Sequence, residues 1–126
     1  MNQPSNIDRI LRSRDAALHA LNDVMDEIDA KIAETTQQGP YLRQLWQRYE
    51  GLDKEYNNII KAADLAILHD PDVAFAVDTL ESLAAEMKKT AEEETDASKL
   101  LEKGTQVLSL SQRFSDMIAK TRGSAA

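Results

Sequence analysis

The segment that decides the fold runs from Tyr41 to His69 and reads YLRQLWQRYEGLDKEYNNIIKAADLAILH. Gly39-Pro40 precedes it and Asp70-Pro71 follows it, and both dipeptides interrupt helices. Between them, apolar or aromatic residues recur at alternating steps of three and four, the heptad pattern of a helix packed along one stripe. The stripe consists of Leu42, Leu45, Tyr49, Leu52, Tyr56, Ile59, Ala63 and Ala66. We therefore predict that this helix is the central element of an all-α bundle.

A similar stripe precedes this segment and predicts a first helix over about 6–37, after a short disordered lead over 1–5. The stripe consists of Ile7, Leu11, Arg14, Leu18, Leu21, Met25, Ile28, Ile32 and Thr35, and it is widened by Ile10, Ala17 and Val24. The connection to the next helix is short, so we expect the two helices to be antiparallel neighbours.

The charges at the helix ends agree with that direction. Acidic residues crowd the end of the first helix, where Arg43 and Arg48 begin the second. At the opposite end, Arg9 and Arg12 are expected to approach acidic residues, namely Asp64, Asp70 and Asp72. Each such surface pair contributes only a few tenths of a kcal/mol, but together they favour the antiparallel pairing.

The last third of the chain allows two interpretations. Apolar stripes over 73–87 and 100–118 are separated by a polar run without Gly or Pro, and one heptad phase passes through that run. This favours a bundle of three long helices, the last continuous over 72–121 and followed by a tail over 122–126. The alternative is an up-down-up-down four-helix bundle with a turn near 94–98, where Thr95 or Asp96 caps a new helix. Either arrangement forms a single domain over 1–126.

Composition excludes several classes of function. The chain has no Cys, which removes disulfides, zinc-thiolate sites and cysteine nucleophiles. Its net charge of −7 argues against nucleic-acid binding, because phosphate neutralisation needs a basic face. No apolar run is long enough to span a membrane. The N-terminus lacks the features of a secretory signal, so we expect a cytoplasmic protein.

Few residues suggest chemistry. His19 has Asp15 four residues earlier, but a metal site needs more convergent ligands. His69 at a helix end suits the helix dipole. The acidic run Glu92, Glu93, Glu94 and Asp96 lacks the spacing of a calcium loop, and Arg9, Arg12 and Arg14 are expected to form ion pairs. With no phosphate loop and no nucleophile motif, we expect no enzymatic activity, no cofactor and no metal.

The remaining hypothesis is protein binding. If the last helix is continuous, its far half extends beyond the second helix and exposes an apolar face that a monomer rarely tolerates. The expected partner-binding residues are Leu100, Val107, Leu108, Phe114 and Ile118. We therefore expect a non-catalytic interaction module, an adaptor or assembly subunit that self-associates as a homo-oligomer or binds a protein partner through coiled-coil seams. The alternative is a monomeric acidic protein that captures one client, as secretion chaperones and toxin-neutralising immunity proteins do.

Overall fold

A computed structural model of the chain describes the backbone of four segments and most of their side chains. These segments are residues 6–36, 38–69, 77–93 and 99–124. The all-α prediction is confirmed, since the regular elements of these segments are α-helices and none of them is a strand. The lead expected over 1–5 lies outside the described residues. The tail expected over 122–126 is helical as far as Ser124.

Four helices make up the described chain. They are α1 Asn6–Glu34, α2 Pro40–His69, α3 Val77–Glu92 and α4 Leu100–Ser124. Helix α1 ends at Glu34, earlier than expected, and the Lys31 carbonyl of its last turn accepts from both the Thr35 hydroxyl at 2.7 Å and the Thr35 amide at 3.0 Å. Helix α2 begins at Pro40, where a missing amide proton costs nothing.

The preferred three-helix arrangement differs from the structure. The expected continuous helix over 72–121 is two helices, with α3 ending at Glu92 and α4 starting at Leu100. The helix number is that of the alternative interpretation, although its turn at 94–98 lies outside the described residues. Burial gives the physical reason: the apolar face of α4 needs cover, and packing α4 back against α3 and α2 supplies it within the same chain.

Side-chain contacts at the helix ends give the helix directions on the α1 side. Arg14 of α1 lies 3.6 Å from Asp64 near the end of α2, so α1 and α2 are antiparallel, as the short connection predicts. Arg9 in the first turns of α1 pairs with Asp78 and Glu81 at the start of α3, so α1 and α3 are parallel. The expected ion-pair partners are therefore partly wrong. Asp64 pairs with Arg14, and Arg9 pairs with residues of α3. Asp70 and Asp72 lie outside the described residues.

Helix α4 runs parallel to α2. A Cβ atom on Gly51 would contact Leu108 at 3.5 Å, and about one turn further along α2 the Ser115 hydroxyl lies 3.3 Å from a Glu55 carboxylate oxygen. Helices α1 and α4 each pack against all three other helices, whereas α2 and α3 barely touch. The expectation that α2 is central is therefore corrected. The wider stripe of α1, with Ala17 and Val24 fully buried, allows it to face more neighbours.

The core nevertheless follows the predicted stripe of α2. Leu45, Leu52, Ile59 and Ala63 have no exposed surface, and Tyr49 and Tyr56 pack at its edge. They belong to the same core as buried residues of every other helix, among them Leu21 and Ile28 of α1. This packing fixes which faces of α1 and α2 remain outside.

Candidate functional site

The expected partner-binding residues of α4 lie inside the chain's own core. Leu100, Val107, Phe114 and Ile118 are buried, and Leu108 is half-buried with its methyl groups directed at Gly51 of α2. These residues could form an exposed face only on a helix that continued beyond the bundle. Because α4 folds back onto α2 and α3, that face already has its partners within one chain.

The exposed aromatic surface lies instead on α2. Trp46 keeps 47% of its surface exposed, the largest exposure of any large hydrophobic side chain in the described residues. Its ring meets that of Tyr49 edge to face, with 6.2 Å between centroids and 72° between planes. Such a pair is worth about 0.5–1.5 kcal/mol beyond its buried area, so it holds the indole in place although the indole is half exposed.

The aromatic residues of this surface extend along α2, and the last of them lies beside α1. Tyr49 and Tyr56, seven residues apart, lie at the same edge of the α2 stripe, and Trp46 lies roughly 60° further round the helix from Tyr49. Tyr56 lines an open cavity of about 310 Å³ between α1 and α2. The other lining residues come from α1 and are Asp15, Leu18, His19 and Asn22. We name this surface the α1–α2 groove and define it by Leu18, Asn22, Trp46, Tyr49 and Tyr56.

Two features fix the geometry of the groove. The heptad stripes pack α1 against α2 in antiparallel register, and the Arg14–Asp64 pair joins the two helices near one end at 3.6 Å. The apolar parts of the groove are then the outer edges of two core stripes, because Leu18, Tyr49 and Tyr56 all pack against the buried core while remaining partly exposed. The surface is therefore mixed, with apolar edges from Leu18 and the two tyrosines beside polar side chains such as Asn22, and it is open on one side.

The α1 wall of the groove is strongly acidic. Between Asp15 and Ala30, α1 carries five carboxylates and neither Lys nor Arg, although Glu27 is not part of this wall, because it pairs with Lys103 of α4 beside the end of α3. His19 is 69% exposed on its side chain and lies 3.5 Å from Asp23. This wall therefore presents negative charge beside an apolar strip.

Other sequence-predicted groups do not converge. Among the described residues, no group of three or more His, Asp and Glu side chains is placed to hold a metal ion. Of the acidic run, Glu94 and Asp96 lie outside the described residues, as does the side chain of His69. No described helix has both the length and the apolar character to cross a membrane.

The sequence pattern contained the clue to Trp46. It follows stripe residue Leu45 directly, and a residue one step from a buried stripe points about 100° away from it. An aromatic ring in that position is exposed unless a second element covers it.

Comparison of the chain with protein-family models, curated proteins and solved structures finds no match.

Proposed function

We propose that this chain is a non-catalytic protein–protein interaction module that holds a partner protein in the α1–α2 groove. One observation carries the proposal: the half-exposed indole of Trp46 packs edge to face against Tyr49, on the helix whose Tyr56 lines the cavity beside α1. Tryptophan and tyrosine dominate binding hot spots because they bury large areas at little cost in side-chain entropy. An exposed aromatic pair on the helix that also lines an open cavity is suited to contacting a partner.

Burial favours the monomeric version of this function. An adaptor acting through coiled-coil seams on α4 needs Val107, Phe114 and Ile118 at the surface, whereas these residues complete the core of one chain. The net charge of −7 further opposes the association of identical chains. We propose a monomeric acidic protein that captures one client, the class of secretion chaperones and toxin-neutralising immunity proteins, rather than a homo-oligomeric assembly subunit. We propose the cytoplasm as its location, since a chain without Cys needs no oxidising compartment to fold.

The test combines solution mass with competitive capture. Light scattering on the purified chain is expected to give the mass of one copy. Capture from lysate of the source cells, followed by mass spectrometry, is then compared between the wild-type chain and Trp46→Ser. A genuine client disappears with Trp46→Ser and remains with Gln47→Ser, a control at the next exposed position of α2. Clients retained equally by all three proteins would contradict the proposed groove.

A further inference from the structure

We propose that the occupant of the α1–α2 groove is an amphipathic helix of the partner protein, with an apolar stripe bordered by Lys or Arg. This inference rests on the proposed function and adds the chemical class of the partner. It is supported by the shape of the groove and by the charge of its α1 wall.

The shape fits a helix. The groove follows two antiparallel helices, and the depression between two packed helices accepts a third along its length. Tyr49 and Tyr56 are seven residues apart, so their exposed edges recur once per heptad. An incoming helix with an apolar residue at each heptad repeat meets one tyrosine per repeat, and Trp46 extends the contact by a further turn.

The charge selects a basic helix. Asp15, Asp23 and Glu27 already pair within the chain, with Arg14, His19 and Lys103 in that order. Asp26 and Asp29 are exposed on the same stretch of α1 and form no ion pair within the described residues. Lys or Arg along one border of an incoming helix would form ion pairs with these two carboxylates.

The same charges disfavour the other occupants. A second copy of this chain would bring its own carboxylates to the groove, and like charges placed together at an interface oppose binding. An anionic membrane surface is repelled for the same reason. A basic helix is therefore the occupant for which both the apolar strip and the acidic wall contribute.

The experiment is a selection from a displayed library of amphipathic helical peptides, randomised at the positions that border the apolar stripe. The full-length chain is the bait, and binders that also bind Trp46→Ser are removed. Lys and Arg are expected to be enriched at the bordering positions. For a selected peptide, raising salt from about 0.05 M to about 0.5 M is expected to weaken Kd about tenfold, because rim charges are screened.

A matched pair of variants tests the carboxylates. Asp26→Asn with Asp29→Asn is expected to raise the Kd of a selected peptide about three- to tenfold, as rim charges do. Glu86→Gln with Glu92→Gln removes the same charge from exposed positions of α3, which barely touches α2, and is expected to leave Kd unchanged. Circular dichroism verifies that all variants remain helical.

The outcomes separate the two proposals. Groove-dependent peptides without basic bias, or with acidic borders, would overturn the basic helix and leave the groove as a binding site. If no binder is selected, or if every binder also binds Trp46→Ser and is removed, both proposals are overturned. Self-association of the wild-type chain that Trp46→Ser abolishes would assign the groove to a second copy and overturn the basic helix.

Discussion

The ammonium group of Lys103 lies 2.9 Å from a carboxylate oxygen of Glu27, and it joins the start of α4 to the second half of α1. It also donates to the Glu93 carbonyl at 2.9 Å, so the end of α3 is held at the same point. The Lys103 side chain is only 4% exposed, whereas that of Glu27 is 42% exposed. This asymmetry makes the two partners unequal under substitution.

Removing Glu27 should cost more stability than removing Lys103. Glu27→Gln leaves the buried ammonium with neutral acceptors only, the Glu93 carbonyl and the amide oxygen at position 27, and losing a bond to a charged group costs about 1.5–3 kcal/mol. Lys103→Met keeps the length of the side chain and returns a half-exposed carboxylate to water, which is expected to cost less than about 1 kcal/mol. Urea denaturation of both variants checks the order, and equal losses would show that the Lys103 site is open to water.

Leu52 tests the core that the sequence predicts. It has no exposed surface at the middle of α2, so Leu52→Ala is expected to lower the free energy of unfolding by about 2–5 kcal/mol. Leu42→Ala on the same stripe is the control, because Leu42 is only half-buried and should lose clearly less. A Leu52→Ala loss below about 1 kcal/mol in denaturant melts would mean that the stripe is misassigned.

A heptad pattern shows which face of a helix is buried, but it does not show where one helix ends and the next begins. Spacing identifies the buried face of α2, so Leu45, Leu52 and Ile59 could be placed in the core before the structure was known. The same spacing passes through Met87, Thr90 and Leu101 without interruption, so it could not show that α3 ends at Glu92. A polar run can be an exposed helix surface or a connection between helices, and only the burial of distant residues such as Phe114 decides between them.

The groove was less predictable than the core, for a related reason. The position of Trp46 beside Leu45 indicates exposure from the sequence alone. Leu18 and Tyr56 line the same cavity because of the register between α1 and α2. The spacing of residues within one helix does not determine that register. The partners of Arg9 were missed similarly, because Asp78 and Glu81 belong to a helix about seventy residues away along the chain.

Acid should weaken the contact between α1 and α3. The Arg9 guanidinium donates to the Glu81 carboxylate and thereby lowers the pKa of Glu81 below its ordinary value of 4.5. Because the unfolded chain takes up this proton at higher pH than the folded chain, the stabilisation is present above about pH 4.5. It is lost as pH falls through the lowered pKa of Glu81.

Glu81→Gln is therefore expected to reduce the loss of stability between about pH 5 and about pH 3 relative to the wild-type chain. The control is Glu86→Gln, an exposed residue of the same helix that forms no ion pair within the described residues. Urea melts at several pH values measure both. If the two variants show the same pH dependence, the Arg9–Glu81 pair does not contribute in solution.

The two glycines at the α2–α4 contact should respond to alanine with opposite sign. A Cβ on Gly51 would lie 3.5 Å from the nearest Leu108 methyl, an ordinary contact, so Gly51→Ala should gain up to about 1 kcal/mol from helix propensity. A Cβ on Gly104 would lie 2.8 Å from Cγ of Arg48, which is too close. Gly104→Ala should therefore lose stability, by roughly 1 kcal/mol after the propensity gain is subtracted from the overpacking cost.

A double variant isolates the steric cause at Gly104. Arg48→Ala removes the clashing Cγ, and Arg48 Nε has no hydrogen-bond partner within the described chain, so no bond at that atom is lost. In the Arg48→Ala background, Gly104→Ala is expected to become stabilising, because the propensity gain remains and the next contact, Ile28 Cδ1 at 3.5 Å, is ordinary. Thermal and urea melts of the four chains give the coupling energy between the two positions. If the effects of the two substitutions on the free energy of unfolding are additive, contact with Arg48 is not the cause of the stability loss in Gly104→Ala.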